Sequence, residues 1–245
     1  MAVGFGAGGG VSVAAGIDVI NDGEMSKPSY ATYIKDRLSG FGGAGNTFVY
    51  QDLIEFPNLA RRVFGDPGRS RRKTPACNAA IGVRNPQAAQ ADVDHLKAAF
   101  ATVEAQEAFM TAASPGVVSL FFRNEHYPTE EAYLFAIAEA MRQEYETIAR
   151  AGIILQIDCP DLGMGRHIQH ADLSLAEWRK KAQLHVEALD HAVANVRFSE
   201  SSAPPKFLQG VAEAALNTFK HRCSPSSGRI DENSARRVPR AFAMR

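Results

Sequence analysis

From Thr129 to Asp158 the chain spells one complete helix-to-strand unit, and few architectures accept such a unit. Thr129 offers a hydroxyl cap to a helix whose first turn holds Glu130 and Glu131, where the positive end of the helix dipole favours carboxylates. Leu134, Ile137, Met141, Tyr145 and Ile148 then recur at helical spacing, and Gly152 suits the left-handed residue that closes a helix. Ile153, Ile154, Leu155, Gln156 and Ile157 follow almost without polar interruption. A strand covered on both faces by helices needs such a run, and the polar chemistry starts at its C-terminal end with Asp158. The pattern predicts an α/β fold with a parallel sheet.

Other segments repeat the theme. Ser174 and Glu177 form a capping box ahead of a stripe made by Trp178, Ala182, Val186, Leu189, Val193 and Val196. A helix from about Pro86 turns Val93, Leu96, Phe100 and Val103 inward and leads to a short strand at Glu107 to Thr111. Ile17 to Asn21 reads as another strand, ending in Asp22, Gly23 and Glu24. Between them, Phe41 to Lys73 is less regular: a Gly-rich turn, a hairpin or loop, and the basic run Arg69, Arg71, Arg72 and Lys73. That run reads as a solvated loop, with an anion contact as the alternative.

A chain of 245 residues can bury one large core, as single α/β barrels do. Its 27 basic and 27 acidic residues cancel, so no overall field draws it to nucleic acid or to an anionic membrane surface. Cys77, Cys159 and Cys223 are odd in number and widely spaced, which suits free thiols in a reducing compartment. No window reaches the ~18 apolar residues of a membrane span. The first 16 residues lack the positive start of a signal peptide, so a soluble, cytoplasmic protein is expected.

In a parallel barrel the reactive groups follow strand ends, which singles out three places. Asp22-Gly23-Glu24 puts carboxylates on a tight turn. Ala112 to Gly116 is a run of small residues around the Ser114 hydroxyl, where a ligand can approach the backbone closely. Asp158 emerges from an apolar strand and needs a partner or a cationic ligand to offset its desolvation. Cys159, His167 and His170 are zinc donors in kind, but their spacing suits a buried thiol and two loop histidines. His185 and His191 lie on the long C-terminal helix, in solvated or helix-packing roles.

Three runs together resemble, in order and spacing, the catalytic domain of cobalamin-independent methionine synthase: Gly16 to Glu24, Phe109 to Gly116, and Ala151 to Pro160. They are most similar to its short, single-barrel bacterial members, described as 5-methyltetrahydropteroyltriglutamate:homocysteine methyltransferase-like and akin to epoxyalkane:coenzyme M transferases. The resemblance extends roughly from Ala15 to Val196. It implies a (β/α)8 TIM barrel in which zinc binds the substrate thiol as thiolate, so that it attacks a methyl or alkyl donor at neutral pH. It also implies substrate-binding roles for Glu24 and Asp158, which correspond to carboxylates that hold the amino group of homocysteine, and for Ser114 near the thiol or donor. Larger members carry an acidic residue where this chain has Cys159, so the implied partners are a small-molecule thiol, homocysteine or another, and a methyl or alkyl donor.

The family's zinc ligands lie on its sixth to eighth strands, beyond the resemblance. His221-Arg222-Cys223 has the spelling of the family's His-x-Cys pair, but it follows a helix-like segment and lacks the downstream partners. His221 and Cys223 are therefore weak metal candidates, and no zinc is expected on this chain. The expected organisation is a Gly-rich head outside the family pattern (1–16), a partial barrel with the equivalents of strands two to five (17–196), and a poorly ordered tail (197–245). From Arg197 onward nine basic residues face four acidic ones, with seven serines and four prolines, a composition that suits neither sheet nor core and resembles out-of-frame translation. An open half-barrel exposes strand edges, which implies self-association. Three functions follow: a thiol methyltransferase impaired by the missing zinc half, a catalytically dead remnant that binds a small ligand or another chain, and a metal-free decarboxylase-type barrel.

Overall fold

The computed structural model describes residues 14–43, 45, 56–64 and 74–196. The basic run at 69–73, nearly all of the head, the whole tail and with it His221 and Cys223 lie outside them. In chain order the elements are β1 (Val19–Asn21), α1 (Ile34–Arg37), β2 (Leu38–Gly42), α2 (Pro57–Phe64), β3 (Ala76–Val83), α3 (Gln87–Phe100), β4 (Glu107–Ala113), α4 (Pro115–Phe121), α5 (Glu130–Arg150), β5 (Ile154–Asp158), α6 (Pro160–Gln169) and α7 (Leu175–Val193).

The three segments expected as strands on sequence form one parallel sheet in the order β1-β4-β5. Met110 pairs with Leu155, and Thr111 pairs with Gln156. Because side chains alternate along a strand, Met110, Ala112 and Leu155 share one face and Thr111, Gln156 and Asp158 the other. The first face is buried with Leu134, Ile137, Met141, Tyr145 and Ile148 of α5 in a single core. That core also takes Ala188, Leu189, Ala192 and Val193 of α7. Both helices start as their sequences require: Thr129 accepts from the Ala132 N–H, and Ser174 and Glu177 complete a reciprocal capping box.

Most of the irregular region lies outside the described residues, and the strands on either side of it pair with each other. β2 and β3 pair antiparallel, with a bulge between Ser39 and Phe41. Gly40 sits there at φ +93°, and a Cβ on it would lie 2.8 Å from the carbonyl oxygens of Ala79 and Ala80, so only glycine fits. The Cys77 N–H donates to the Arg123 carbonyl, which stitches β3 to the segment after α4. Two helices appear where the sequence reading expects loops: α4 starts directly after β4, and α6 directly after β5. His167 is therefore helical rather than on a loop, and His170 is the C-cap of α6. The described residues form no closed barrel, and β1 and β5 are the outer strands of their sheet.

A buried ionic cluster joins helices far apart in sequence. The Arg37 guanidinium bridges Asp92 of α3 and Glu144 of α5, 2.9 Å from the latter, and lies over the Tyr33 ring at 4.6 Å. Tyr33 donates to Glu144 at 2.6 Å and accepts from the Ala113 N–H at 3.2 Å, which anchors the end of β4. Such a cluster is strongly destabilised when one member is lost, because a charge is left buried and unpaired.

Candidate functional site

The mouth of the sheet is built from the ends of its three strands. After β1 the chain turns through Asn21, Asp22, Gly23 and Glu24. The Asn21 side chain accepts from the Gly23 N–H at 3.1 Å, and Asp22 Oδ1 accepts from the Glu24 N–H at 3.0 Å. These local bonds hold Gly23 at φ +61° and Glu24 at φ +54°. A glutamate in the left-handed region is strained, and such strain persists only where surrounding contacts impose it. Here the imposed contact is Thr111 of β4, whose hydroxyl donates to Glu24 Oε1 at 2.6 Å.

Asp158, the last residue of β5, accepts from Gln156 Nε2 at 3.0 Å. Gln156 lies directly across from Thr111 in the sheet, so one polar row connects the two carboxylates. Burial pushes the Asp158 carboxyl above its ordinary range, and the neighbouring charge of Glu24 pushes it further, while the Gln156 bond and the Lys27 ammonium pull it down. Glu24 and Asp158 are therefore close enough to repel, and Lys27 offsets only one of their two charges. Lys27 is itself buried: its ammonium donates to the Thr111 carbonyl and stands 4.8 Å from the centre of the Tyr33 ring. Asp22 Oδ2 is also buried, with no hydrogen-bond partner among the described residues, and its carboxyl is raised chiefly by burial. Lys27, Thr111 and Gln156 escape a search restricted to residues past strand ends, because two of them lie within strands and Lys27 lies beyond the turn.

Ser114, just after β4, is engaged within the fold. It is 2% exposed, and its hydroxyl accepts from the Val117 N–H at 3.0 Å as the N-cap of α4. The same hydroxyl donates to Asp161 Oδ1 at 2.8 Å. Its proton is thus spent on a buried carboxylate and one lone pair on a cap. Its backbone N–H donates to the Asp158 carbonyl at 3.1 Å, so it braces the mouth from behind.

Asp161 in turn meets His185 of α7, with Oδ2 2.8 Å from Nδ1. Burial pulls the imidazole down, but the hydrogen bond to Asp161 and the nearby Glu130 outweigh it and raise His185 to about 9. His185 is a buried imidazolium, and the packing role holds rather than the solvated one. The order Ser114, Asp161, His185 is not that of a nucleophilic triad: the carboxylate is central, and it rather than the imidazole meets the hydroxyl. His191, by contrast, pairs near the surface with Glu139 at 2.9 Å.

The fit to zinc can be tested on donor chemistry. Among the described residues no three His, Cys, Asp or Glu side chains gather as a metal would require. Burial pushes the Cys159 thiol far above its usual range, and Asp161 pushes it further; the thiol faces the Ile157 carbonyl at 3.7 Å. It is held as an inert thiol, and the described residues do not fit the ion. No helix among them is long and apolar enough to cross a membrane.

No protein-family model matches the chain. Over 147 residues it is 29% identical to a methionine synthase of Sulfolobus acidocaldarius, a match covering 60% of this chain and 37% of that protein. It is 26% identical over 183 residues to a methionine synthase of Saccharolobus solfataricus, covering 74% of this chain and 45% of the relative. The chain thus spans less than half the length of the curated relatives it matches. Among solved structures, a B12-independent methionine synthase from a Shewanella species, in complex with selenomethionine, superposes with a TM-score of 0.52. The match has 17% identity and covers 74% of this chain and 44% of that one, which places the parallel sheet and its helices within that protein's TIM-barrel fold. By sequence the chain is similar to these archaeal methionine synthases over part of their length, and by fold to a B12-independent methionine synthase.

Proposed function

We propose that this chain binds a thiol amino acid of the homocysteine type, with Glu24 and Asp158 sharing its ammonium group. The observation that carries the reading is geometric: Thr111 holds Glu24 and Gln156 holds Asp158 across one row of the sheet, so that the like charges face the mouth beside the buried Lys27 ammonium. A cation placed between the two carboxylates relieves their repulsion and lowers Asp158 toward its ordinary range. Thr111 and Gln156 then act as positioning residues that hold each carboxylate in one rotamer. The reaction class that the family suggests is methyl transfer, with a methyltetrahydropteroylglutamate-type donor. In it the sulfur gains the methyl carbon, the donor's nitrogen–carbon bond breaks, and the thiol proton replaces the methyl on that nitrogen.

The donor set of the described residues supports binding rather than turnover. A thiol is mostly protonated at neutral pH, and among the described residues no cluster gathers that could hold a metal ion to stabilise its thiolate. The expected behaviour is saturable homocysteine binding without measurable methyl transfer. Calorimetric titration beside a transfer assay with added zinc tests both halves. Zinc-dependent methylation, abolished by Asp158→Asn, would show that His221, Cys223 or other groups outside the described residues complete the site. A decarboxylase-type function is less well supported, because two carboxylates at the mouth repel the acidic substrate such a reaction takes.

A further inference from the structure

A second cleft, of about 460 Å³, opens between α4, α5, α6 and α7. It is lined by Arg123, Glu130, Gln169, His170, Lys181 and His185 among others, and it shares no lining residue with the Glu24 and Asp158 mouth. Its floor holds the imidazolium of His185, which is 5% exposed. One side of that ring is spent on Asp161, whereas Nε2 is buried with no hydrogen-bond partner among the described residues. A buried donor left unmade costs free energy, so the geometry calls for an acceptor at Nε2. Glu130 stands in part of that place. Its Oε2 pairs with Lys181, while its Oε1 stays 4.0 Å from Nε2, an ion pair too long to be a hydrogen bond. Its contact with His185 first, and then its hydrogen bond and ion pair with Lys181, hold the Glu130 carboxyl down to about 2, although burial opposes them. Two cationic donors thus converge on a carboxylate that satisfies only one of them. His170, pulled below its ordinary range by burial and by Lys181, adds a neutral ring beside Trp178.

We propose that this cleft binds a small organic oxyanion, a carboxylate or a phosphate, whose oxygens accept from His185 Nε2 and from Lys181 by displacing Glu130. The volume suits a small metabolite. Glu130 is then a built-in competitor, so removing its charge has to strengthen binding. The inference stands apart from the thiol reading, since homocysteine binding at Glu24 and Asp158 is measured separately and either can fail alone.

The test is calorimetric titration of the full chain with inorganic phosphate and with glutarate at about pH 6.5, where the His185 charge is retained. One-site saturation in about the millimolar range is expected for at least one of the two. Saturation by phosphate alone assigns a phosphate ligand, and saturation by glutarate alone assigns a carboxylate. Glu130→Gln should tighten binding by at least about threefold, and Lys181→Gln should weaken it by a similar factor. A gain in affinity is a readout that mere loss of folding does not produce. No saturation by either anion up to about 50 mM would overturn the proposal, as would Glu130→Gln binding that is unchanged or weaker.

Discussion

The Nδ1 atom of His185 lies 2.8 Å from Asp161 Oδ2, and the other oxygen of that carboxylate accepts from Ser114, the residue that caps α4. One buried carboxylate thereby ties α7, α6 and the end of β4 together. Because the Ser114 N–H also donates to the Asp158 carbonyl, the tie reaches the back of the candidate site.

The pH dependence of stability follows from this tie. Free imidazole titrates near 6.5, whereas His185 is held at about 9, so folding takes up a proton between those values. The stabilisation is complete below about pH 6.5 and is lost as pH rises through about 9. At 1.36 kcal/mol per pH unit its upper limit is about 3 kcal/mol. Urea unfolding of the native chain across this range should show the decline, and His185→Gln should remove it. A flat difference between the two proteins would mean that His185 is neutral in the fold.

Ser114→Ala removes a cap and a donor at once. The cap is worth about 1 kcal/mol, and a buried carboxylate oxygen left without its donor costs a further ~1–3 kcal/mol. The expected loss of stability, measured by urea denaturation, is therefore about 2–4 kcal/mol. A cost below about 0.5 kcal/mol would indicate that the hydroxyl is free to serve a ligand.

Gly116→Ala should be more damaging. Its Cβ would lie 2.0 Å from Asp161 Oδ2 and 2.6 Å from His185 Nδ1, inside the tie itself. Relief needs the buried pair to separate, at an expected cost of at least about 3 kcal/mol. Thermal denaturation beside Gly163→Ala, whose Cβ meets nothing within 4 Å, separates crowding from the loss of glycine.

Self-association is expected from the outer strand. Among the described residues β1 pairs only with β4, and Ile17 and Val19 are 49% and 38% exposed beside its open edge. Sedimentation should show concentration-dependent oligomers, and Val19→Lys should shift them toward monomer. A monodisperse monomer of the native chain at every concentration would contradict this.

The features legible in the sequence are the local ones. Thr129, the Ser174–Glu177 box and the stripe on α5 declare themselves within one or two helical turns, and the apolar run before Asp158 marks a strand by its length. α4 and α6 are less visible because each is short and begins at once after a strand. Pro115 and Pro160, at the first position of each, are the signals that find them. The joining of Arg37 to Asp92 and Glu144, and of Asp161 to His185, depends on how distant helices pack, and no spacing in the chain encodes it. The roles of Glu24 and Asp158 were suggested by likeness to a family, whereas the Thr111–Gln156 row that connects them required the register of the sheet.

Ammonium recognition at Glu24 and Asp158 is tested by titrating L-homocysteine and its des-amino analogue, 4-mercaptobutyrate, into the native chain and into Asp158→Asn. A charge-assisted contact of about 1.5–3 kcal/mol corresponds to about 10- to 100-fold in affinity. Homocysteine should bind the native chain tighter than the analogue by about that factor, and Asp158→Asn should remove most of the difference. Equal affinity of the native chain for the two ligands, or a preference that survives Asp158→Asn unchanged, would contradict that recognition.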